Sequence, residues 1–419
     1  MLDCLVLLYF LAIAPKLLFD RIFRGKRHPG GLQRLGFSLP SNEGREVLWF
    51  HAVSLGEVKS LQPLFSELRK LYPQAFFLVT TTSTTGQAEA KKSLSNADAV
   101  SYLPIDLSWI VKRWVKKLQP RLLILVEGDF WPQLISAVKK GGGRIAVVSG
   151  RISERSARRF QRFSFFSKRI FPQVDLYCLQ NEEYRRRFLP LVPDPSRLFV
   201  AGNLKLDIKP QPVDISFWRE KLSLPSSPIL AIGCTHAPEE EWILDALDRP
   251  GRFFFLVPRH PERFQEVAQL LKQKNIPFSR WSELDQRSGA ERVILVDAMG
   301  QLPICYSLSR LAVLGGSFVD RIGGHNVIEP CLYGAPVFFG PYMFGQTEFA
   351  SRVLRSNCGK QIPITELASA VDSFFENPSQ EEAMREAAAS LTRNSGGSTA
   401  RTLQKLLSSQ MLSAFTGKN

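Results

Sequence analysis

Short apolar runs rich in branched residues recur along the chain, and segments with helical spacing separate them. In the first part of the chain these runs are residues 47–50, 75–80, 99–104, 122–126, 144–149 and 176–179. In the second part they are residues 229–233, 253–257, 293–296, 311–314 and 337–339. Such runs are typical of strands buried on both faces of a parallel sheet. The alternation of strand and helix therefore predicts an α/β fold with helices on both faces of each sheet.

A proline-containing segment separates the two series. Because Pro210 and Pro212 cannot both lie inside a helix or a central strand, residues 208–214 are predicted to be a linker. We expect one Rossmann-like domain over residues 29–207 and a second over residues 215–419, as the length of 419 residues also favours. Open α/β sheets bind ligands beyond the carboxyl ends of their strands, so a site is expected in a cleft between the two sheets.

The formal net charge of +15 favours anionic partners, such as nucleic acid, a phospholipid surface or a phosphorylated substrate. The charge is unevenly distributed, and one basic segment covers residues 151–169. Its cationic residues are Arg151, Arg155, Arg158, Arg159, Arg162, Lys168 and Arg169. Nucleic-acid binding is the less favoured interpretation, because the sequence has neither basic strands interleaved with aromatic residues nor a recognition-helix pattern.

Residues 1–28 are predicted to attach the protein to a membrane. Residues 2–19 are apolar apart from Asp3 and Lys16, and four basic residues follow between positions 21 and 27. The run is marginal for a spanning helix, which needs about 20 apolar residues, and a helix lying in the interface fits it too. A signal peptide is disfavoured because no basic residue precedes the run and Pro15 follows the candidate cleavage site. The positive-inside rule then places the rest of the protein in the cytoplasm.

Several common kinds of site have no pattern in the sequence. The six cysteines are scattered and form no C-x-x-C pair, which argues against a disulfide framework or a zinc site and favours a reducing compartment. The five histidines are far apart and share no helical spacing, so we expect no metal site. Dehydrogenases and P-loop enzymes are disfavoured, since neither glycine fingerprint is present.

Three loops of the first domain carry polar residues that suit catalysis. Glu57 follows the first strand and could act as a general base, although a glutamate also stabilises the first turn of a helix. Glu127 and Asp129 follow the fourth predicted strand, where capping and packing are an equal alternative. Lys205 lies just before the linker and could stabilise negative charge, unless it is a solvated surface lysine.

The second domain offers loops that suit phosphate. Arg259 directly follows a strand, and a guanidinium group can hold a phosphate through two hydrogen bonds. The glycine pairs at 315–316 and 323–324 would let backbone amides approach a phosphate, and a helix start after them adds a positive dipole. Glu329 on that helix could accept hydrogen bonds from ribose hydroxyls. These features predict a nucleotide site in the second domain.

Taken together, these residues resemble the Kdo transferases, which attach 3-deoxy-D-manno-octulosonic acid (Kdo) to the lipid A precursor. The resemblance covers nearly the whole chain and depends on the order and spacing of several short segments. These are residues 51–57 (HAVSLGE), 150–153 (GRIS), 203–205 (NLK), 258–260 (PRH), 297–300 (DAMG), 323–326 (GGHN) and 329–330 (EP).

The resemblance implies two Rossmann-like domains of the GT-B type and an inverting transfer of Kdo from CMP-Kdo to the lipid A precursor (lipid IVA), without a metal or other cofactor. It implies that Glu57 is the general base and that Glu127 and Lys205 stabilise the transition state. The residues implied for the CMP site are Pro258, Arg259, Met299, Gly300, Gln301, Gly324, His325, Asn326 and Glu329. The enzyme would act at the cytoplasmic face of a bacterial inner membrane. The basic residues that would face the acceptor and the anionic membrane surface are Arg151, Arg155, Arg158, Arg159 and Arg162.

The chain departs from the family pattern at two places. The family usually has the run Glu-Thr-Glu-Leu-Trp-Pro, whereas residues 127–132 read EGDFWP and so place Gly128 and Asp129 in its middle. Gln301 replaces the acid of the usual Met-Gly-Glu. These changes affect details of the acceptor more than the identity of the donor. A GT-B enzyme that uses a UDP-sugar is the alternative interpretation, and the number of Kdo units transferred is left open.

Overall fold

The computed structural model describes residues 3–4, 30–208, 210, 212–394 and 397–412. The chain divides into two compact units, one formed by Met1–Ile208 with Gly396–Asn419 and the other by Lys209–Ser395. The predicted membrane anchor, residues 1–28, lies outside the described residues except for Asp3 and Cys4. Across the described ranges, no helix has both the length and the apolar character needed to cross a membrane.

The first unit is built on a seven-stranded parallel sheet. Its strands are β1 (Val47–His51), β2 (Phe76–Thr81), β3 (Ala99–Tyr102), β4 (Pro120–Val126), β5 (Arg144–Gly150), β6 (Leu176–Leu179) and β7 (Leu198–Val200). They lie in the order β3-β2-β1-β4-β5-β6-β7. The direction of winding reverses between β1 and β4, and open α/β sheets bind their ligands at such a switch point.

Helices cover both faces of this sheet. They are α1 (Gly31–Arg34), α2 (Leu55–Leu71), α3 (Thr84–Ser93), α4 (Ser108–Leu118), α5 (Pro132–Lys140), α6 (Glu154–Arg162), α7 (Ser164–Ile170) and α8 (Glu182–Phe188), with 3₁₀ turns at Phe171–Gln173, Pro195–Arg197 and Leu204–Asp207. Successive strand residues point to opposite faces. Trp49 of β1 therefore stacks on Trp114 of α4, with ring centroids 5.5 Å apart, while Phe50 packs against Phe65 of α2. The β1 strand is thus fully buried on both sides.

The second unit repeats this plan on another seven-stranded parallel sheet. Its strands are β8 (Ile229–Thr235), β9 (Phe253–Pro258), β10 (Phe278–Arg280), β11 (Val293–Leu295), β12 (Leu311–Leu314), β13 (Val337–Phe339) and β14 (Gly359–Gln361). They lie in the order β10-β11-β9-β8-β12-β13-β14. The switch point of this sheet lies between β8 and β12.

The helices of the second unit are α9 (Ile215–Lys221), α10 (Glu239–Leu247), α11 (Phe264–Gln273), α12 (Leu302–Leu308), α13 (Ile328–Leu332), α14 (Thr347–Arg355), α15 (Leu367–Glu376) and α16 (Pro378–Asn394). Three 3₁₀ turns are described as well, at Pro261–Arg263, Trp281–Gln286 and Ile364–Glu366. A core on one face of the sheet joins α10, α11 and α15 through side chains such as Leu244, Leu271 and Phe374. Loops follow the carboxyl ends of the central strands β8, β9 and β12.

Each of the predicted strands is confirmed, six in the first series and five in the second. The three further strands β7, β10 and β14 are edge strands of three residues each. The short apolar run of β7 gives little signal, and β10 and β14 contain polar residues because an edge position is only partly buried.

The prediction that the second domain extends to residue 419 is wrong for the carboxyl-terminal helix α17 (Ser398–Ser408), which belongs to the first unit. Leu406 of α17 enters the core beside α2. Arg401 donates a hydrogen bond to the Ala201 carbonyl at 2.8 Å, and the Thr399 amide donates one to Asp207. The α17 helix packs against the first unit because its apolar side is buried in the core of that unit, which the order of elements in the sequence does not reveal.

Candidate active site

Glu57 lies in the first turn of α2, just beyond the carboxyl end of β1. Its carboxylate accepts hydrogen bonds from the Val53 amide at 2.8 Å and the Ser54 hydroxyl at 3.0 Å, and only 7% of the residue is exposed. Burial, followed by the negative charge of Glu127, raises the pKa of Glu57 to about 7. A carboxyl group that titrates near neutral pH suits proton abstraction from a hydroxyl.

Glu127 lies beyond the carboxyl end of β4, the strand next to β1. One carboxylate oxygen accepts a hydrogen bond from Nε of Arg151 at 2.5 Å, and the other lies 2.5 Å from Nζ of Lys205. The residue is 4% exposed, so its charge would be costly without these two cations. The backbone of Glu127 is left-handed, with φ of 63°, which directs the side chain away from an ordinary strand position.

Asp129 completes a group of three carboxylates at this edge of the sheet. Burial and the negative charge of Glu127 raise the pKa of Asp129. Mutual repulsion favours a proton on Glu57, since Glu127 has two cationic partners and both other carboxylates raise the pKa of Glu57. The structure therefore brings together the predicted Glu57, Glu127 and Lys205.

Arg151 has a different role from the one predicted. It was expected to face the acceptor with the other arginines of its segment, but its guanidinium binds Glu127. Arg155, Arg158, Arg159 and Arg162 lie on α6 and are exposed, as are Phe163 and Phe165 beyond its end. Arg158 is paired with Glu154. Among the described residues, no hydrogen bond or ion pair joins these side chains to Glu57, Glu127 or Asp129.

A close backbone contact accounts for Gly128, one of the departures from the family pattern. A Cβ atom at this position would lie 2.5 Å from the carbonyl oxygen of Arg151, so a larger residue would require the backbone to move. The amide of Arg151 in turn donates to the carbonyl of Glu127 at 3.2 Å. The two loops therefore approach each other closely where Glu127 meets Arg151.

Lys205 is positioned by a polar network that the sequence analysis missed. The Asn203 side chain accepts the Lys205 amide at 3.0 Å and donates to Gln180, and the Ser149 hydroxyl accepts the Leu204 amide at 3.3 Å. Asn203 is 3% exposed. Its place before Lys205 in the NLK segment was the available signal, since asparagine often caps a short turn.

His51 and Trp131 connect β1 to the loop after β4. The indole N–H of Trp131 donates to Nε2 of His51 at 3.0 Å, so the imidazole proton is on Nδ1, which faces the Thr80 carbonyl at 3.1 Å. Burial lowers the pKa of His51 to about 4, which keeps the ring neutral at neutral pH. His51 therefore acts as a fixed acceptor that positions the Glu127 loop.

Replacing Trp131 by phenylalanine is expected to lower the free energy of unfolding by about 1–3 kcal/mol, because it leaves the buried Nε2 of His51 without a donor. Equilibrium unfolding in urea measures this change. Trp109→Phe is the matched control, since Trp109 is 54% exposed and should change stability by less than about 0.5 kcal/mol. An equal loss in both variants would show that the hydrogen bond does not stabilise the loop.

In the second unit a buried glutamate connects the loops at the switch point. Glu239 has no exposed surface, and its carboxylate accepts the amides of His236 at 3.0 Å, Gly316 at 2.6 Å and Phe318 at 2.8 Å. Burial raises the pKa of Glu239, although these hydrogen bonds oppose the effect. The residue thus fixes the loop after β8 against the loop after β12, although no motif in the sequence pointed to it.

The two glycine pairs contact each other beyond the carboxyl end of β12. The Gly324 amide donates to the Gly316 carbonyl at 2.8 Å. The positive φ angles of Gly323 and Gly324 favour glycine, and a Cβ there would collide with Phe344 and Met343. Packing within the unit is therefore sufficient to require glycine at positions 323 and 324. The helix after them, α13, has only five residues.

The residues predicted to bind CMP lie at or beyond the carboxyl ends of three strands of this sheet, β9, β11 and β12. Pro258 ends β9, and Arg259 follows it with an exposed side chain that has no carboxylate partner among the described residues. Met299 is 58% exposed, Gly300 has φ of 84°, and Gln301 precedes α12. The remaining predicted residues lie around α13, namely Gly324, His325, Asn326 and Glu329.

Three histidines that are distant in sequence come together in the same loops. Nε2 of His236 lies 2.8 Å from Nε2 of His325, with the rings at 9° to each other, and the ring centroid of His260 is 5.2 Å from that of His236. Burial and the neighbouring cations lower the pKa of His236, and they lower that of His325 to about 4. In the described parts of the chain, no group of three or more His, Cys, Asp or Glu side chains is arranged to hold a metal ion.

Comparison with known proteins identifies the family. The family model for 3-deoxy-D-manno-octulosonic-acid transferase (kdotransferase) matches residues 31–208. The 3-deoxy-D-manno-octulosonic acid transferase of Chlamydophila psittaci is 33% identical over 389 residues, which cover 91% of this chain and 89% of that protein. The chain belongs to the Kdo transferase family.

A second Kdo transferase, from Haemophilus influenzae, is 32% identical over 75% of this chain and 76% of its own length. Among solved structures, UDP-GlcNAc 2-epimerase from Neisseria meningitidis superposes with a TM-score of 0.61 at 14% identity, covering 87% of this chain and 100% of that one. This likeness concerns the fold alone. The predicted GT-B fold with two Rossmann-like domains is confirmed, and this Kdo transferase family member is a glycosyltransferase.

Proposed function

We propose that this Kdo transferase moves Kdo from CMP-Kdo to the lipid A precursor, with inversion at the anomeric carbon and without a metal ion. The observation that carries the proposal is the position of Glu57, a buried carboxyl group with a pKa of about 7 at the switch point of the first sheet. Its family relatives are named for transfer of the same sugar acid.

In the proposed reaction Glu57 takes the proton of an acceptor hydroxyl while that oxygen attacks the anomeric carbon of Kdo. The bond from this carbon to the phosphate oxygen breaks, and CMP leaves with the electron pair. Attack on the face opposite the leaving group inverts the configuration. General base catalysis of this kind contributes about 10²–10⁴-fold in rate.

Glu127 and Lys205 assist this step through charge. Positive charge develops on the sugar ring in the transition state, and the Glu127 carboxylate can stabilise it. The same carboxylate raises the pKa of Glu57, which makes Glu57 a stronger base. The positive charges of Lys205 and Arg151 compensate the negative charge of the buried Glu127 carboxylate.

The donor is assigned to the second unit. Arg259 offers a guanidinium group without a carboxylate partner among the described residues, and such a group can hold a phosphate through two hydrogen bonds. Within the same described loops, the amides of His325 and Asn326 donate to no backbone or side-chain acceptor. A phosphate held by such groups is a good leaving group, so the chemistry requires no metal.

The acceptor is assigned to the basic surface of α6. A lipid A precursor is phosphorylated and lies in an anionic membrane, and the exposed arginines of this helix suit both. Phe163 and Phe165 are 54% and 42% exposed, as expected for side chains that enter a lipid interface. We therefore place the enzyme at the cytoplasmic face of the inner membrane.

Mass analysis of the product tests the proposal. The full-length protein with CMP-Kdo and lipid IVA in detergent is expected to give lipid IVA heavier by one or more Kdo residues, with metal chelator present. Parallel reactions with UDP-sugars are expected to leave lipid IVA unchanged. Transfer from a UDP-sugar only would replace the proposed donor by the alternative GT-B activity.

A further inference from the structure

The loops after β8, β9 and β12 each contribute one histidine to a cluster beside Arg259. His236 contacts both of the other rings, through the 2.8 Å Nε2–Nε2 hydrogen bond to His325 and the edge-on contact with His260. One of the two Nε2 atoms in that pair must carry a proton that the other accepts. The four side chains together therefore present N–H groups and at least one permanent positive charge in a small space.

Two buried carboxylates near this cluster have other partners. Glu239 accepts three backbone amides, and Glu240 is paired with Arg263. Glu262 lies 3.9 Å from Nδ1 of His260, and its side chain is 75% exposed, so its charge is largely screened by water. No described buried carboxylate forms an ion pair with Arg259, His236 or His325. Such a group of donors is suited to an anion supplied from outside the protein.

The backbone fixes two members of the cluster, His236 and His325, whereas Arg259 and His260 are exposed. A Cβ at position 316 would lie 2.6 Å from the ring of His325, so Gly316 permits that ring to lie against the chain. Glu239 holds the amides of both His236 and Gly316, which fixes the two rings relative to each other. Burial, and after it neighbouring positive charge, lowers the pKa of both His236 and His325, and a bound oxyanion would offset the effect of that charge.

We propose that His236 and His260 join His325 and Arg259 in one subsite for an oxyanion, occupied by an anionic group of the sugar donor. The identity of that donor rests on the proposed function. CMP-Kdo carries two groups with the required chemistry, the phosphate and the carboxylate of the sugar acid. Each presents oxygen atoms that accept hydrogen bonds from imidazole N–H groups and from a guanidinium group.

Titration calorimetry on the full-length protein with His236→Gln and His260→Gln tests the subsite. Each variant is expected to bind CMP-Kdo about 10- to 100-fold more weakly, the effect of losing a hydrogen bond to a charged group. Lys272→Gln is the control, because it removes an exposed cation of α11 and should leave binding unchanged. His260 is partly exposed, with a side-chain accessibility of 47%, so its variant should fold even if His236→Gln unfolds at a lower temperature.

Comparison of two ligands distinguishes the two anionic groups. If the subsite holds the phosphate, CMP and CMP-Kdo should both bind more weakly to the variants. If it holds the carboxylate, only CMP-Kdo should do so, and either pattern supports the proposal. Unchanged affinity for both ligands in the folded variants overturns it.

A third ligand separates this proposal from the donor assignment. If the wild-type protein binds neither CMP nor CMP-Kdo, the assignment of the donor is wrong. Binding of inorganic pyrophosphate then tests the subsite independently of the donor. Pyrophosphate binding that is weakened in His236→Gln and His260→Gln, but not in Lys272→Gln, would keep the oxyanion subsite. Absent or equal pyrophosphate binding would remove it.

Discussion

Glu57→Gln is expected to lower the turnover of Kdo transfer by about 10²–10⁴-fold and to leave CMP affinity unchanged. Glutamine keeps the size of the side chain but cannot accept the proton of the acceptor hydroxyl. Single-turnover kinetics with CMP-Kdo and lipid IVA measure the loss, and calorimetry measures CMP binding. Glu67→Gln is the matched control, because Glu67 lies on the same helix with an exposed side chain that pairs only with Lys70 among the described residues.

The pH profile separates a base from a structural glutamate. Burial keeps the proton on Glu57 until the pH approaches about 7, so the active carboxylate forms as the pH rises through this value. The wild-type kcat/KM should therefore increase across this range, and the residual activity of Glu57→Gln should lack that increase. Retained turnover, or an unchanged profile in the variant, would end the assignment of Glu57 as the base.

Lys205→Met is expected to reduce turnover at neutral pH by about tenfold or more, because it removes one of the two cations that hold and compensate the buried Glu127 carboxylate. Loss of this cation leaves the buried Glu127 with Arg151 alone. The less neutralised charge of Glu127 should then raise the pKa of Glu57 further, since Glu127 already acts on it in that direction. The rise of kcat/KM with pH should consequently move to higher pH, which the same kinetic assay detects.

Two further variants show whether the effect of Lys205→Met comes from the loss of the cation near Glu127. Lys205→Arg keeps a cation near Glu127 and should recover part of the activity, although the geometry of the two side chains differs. Lys112→Met removes an exposed lysine of α4 and should have no effect. A loss of thermal stability without a change in the pH profile would mean that Lys205 only stabilises the fold, as breaking a buried ion pair can do.

Local patterns were sufficient to predict most of the residues that lie together at the candidate site of the first unit. Glu57 and Glu127 each follow a buried apolar run, and parallel strands place their carboxyl ends at one edge of a sheet. The partner of Arg151 was not predictable in this way. Its sequence neighbours are exposed arginines, so only the close approach of two loops at Gly128 reveals that it binds Glu127.

The second unit shows a larger gap between pattern and structure. The glycine pairs and the segment with Arg259 and His260 were visible as motifs, but His236 and Glu239 were not. Glu239 interacts with Gly316, 77 positions away, and His236 interacts with His325, 89 positions away. No periodicity records such contacts, because they depend on which strands are neighbours in the sheet.

By itself the sequence determined the alternation of strands and helices, and hence two parallel sheets, because burial on both faces imposes continuous apolar runs. Its short motifs also indicated the family. Only the tertiary structure decided that α17 packs with the first unit, that Arg151 and Lys205 share Glu127, and that three histidines form one cluster. These outcomes depend on long-range packing and on the loss of hydration of buried charges, which the local order of residues does not encode.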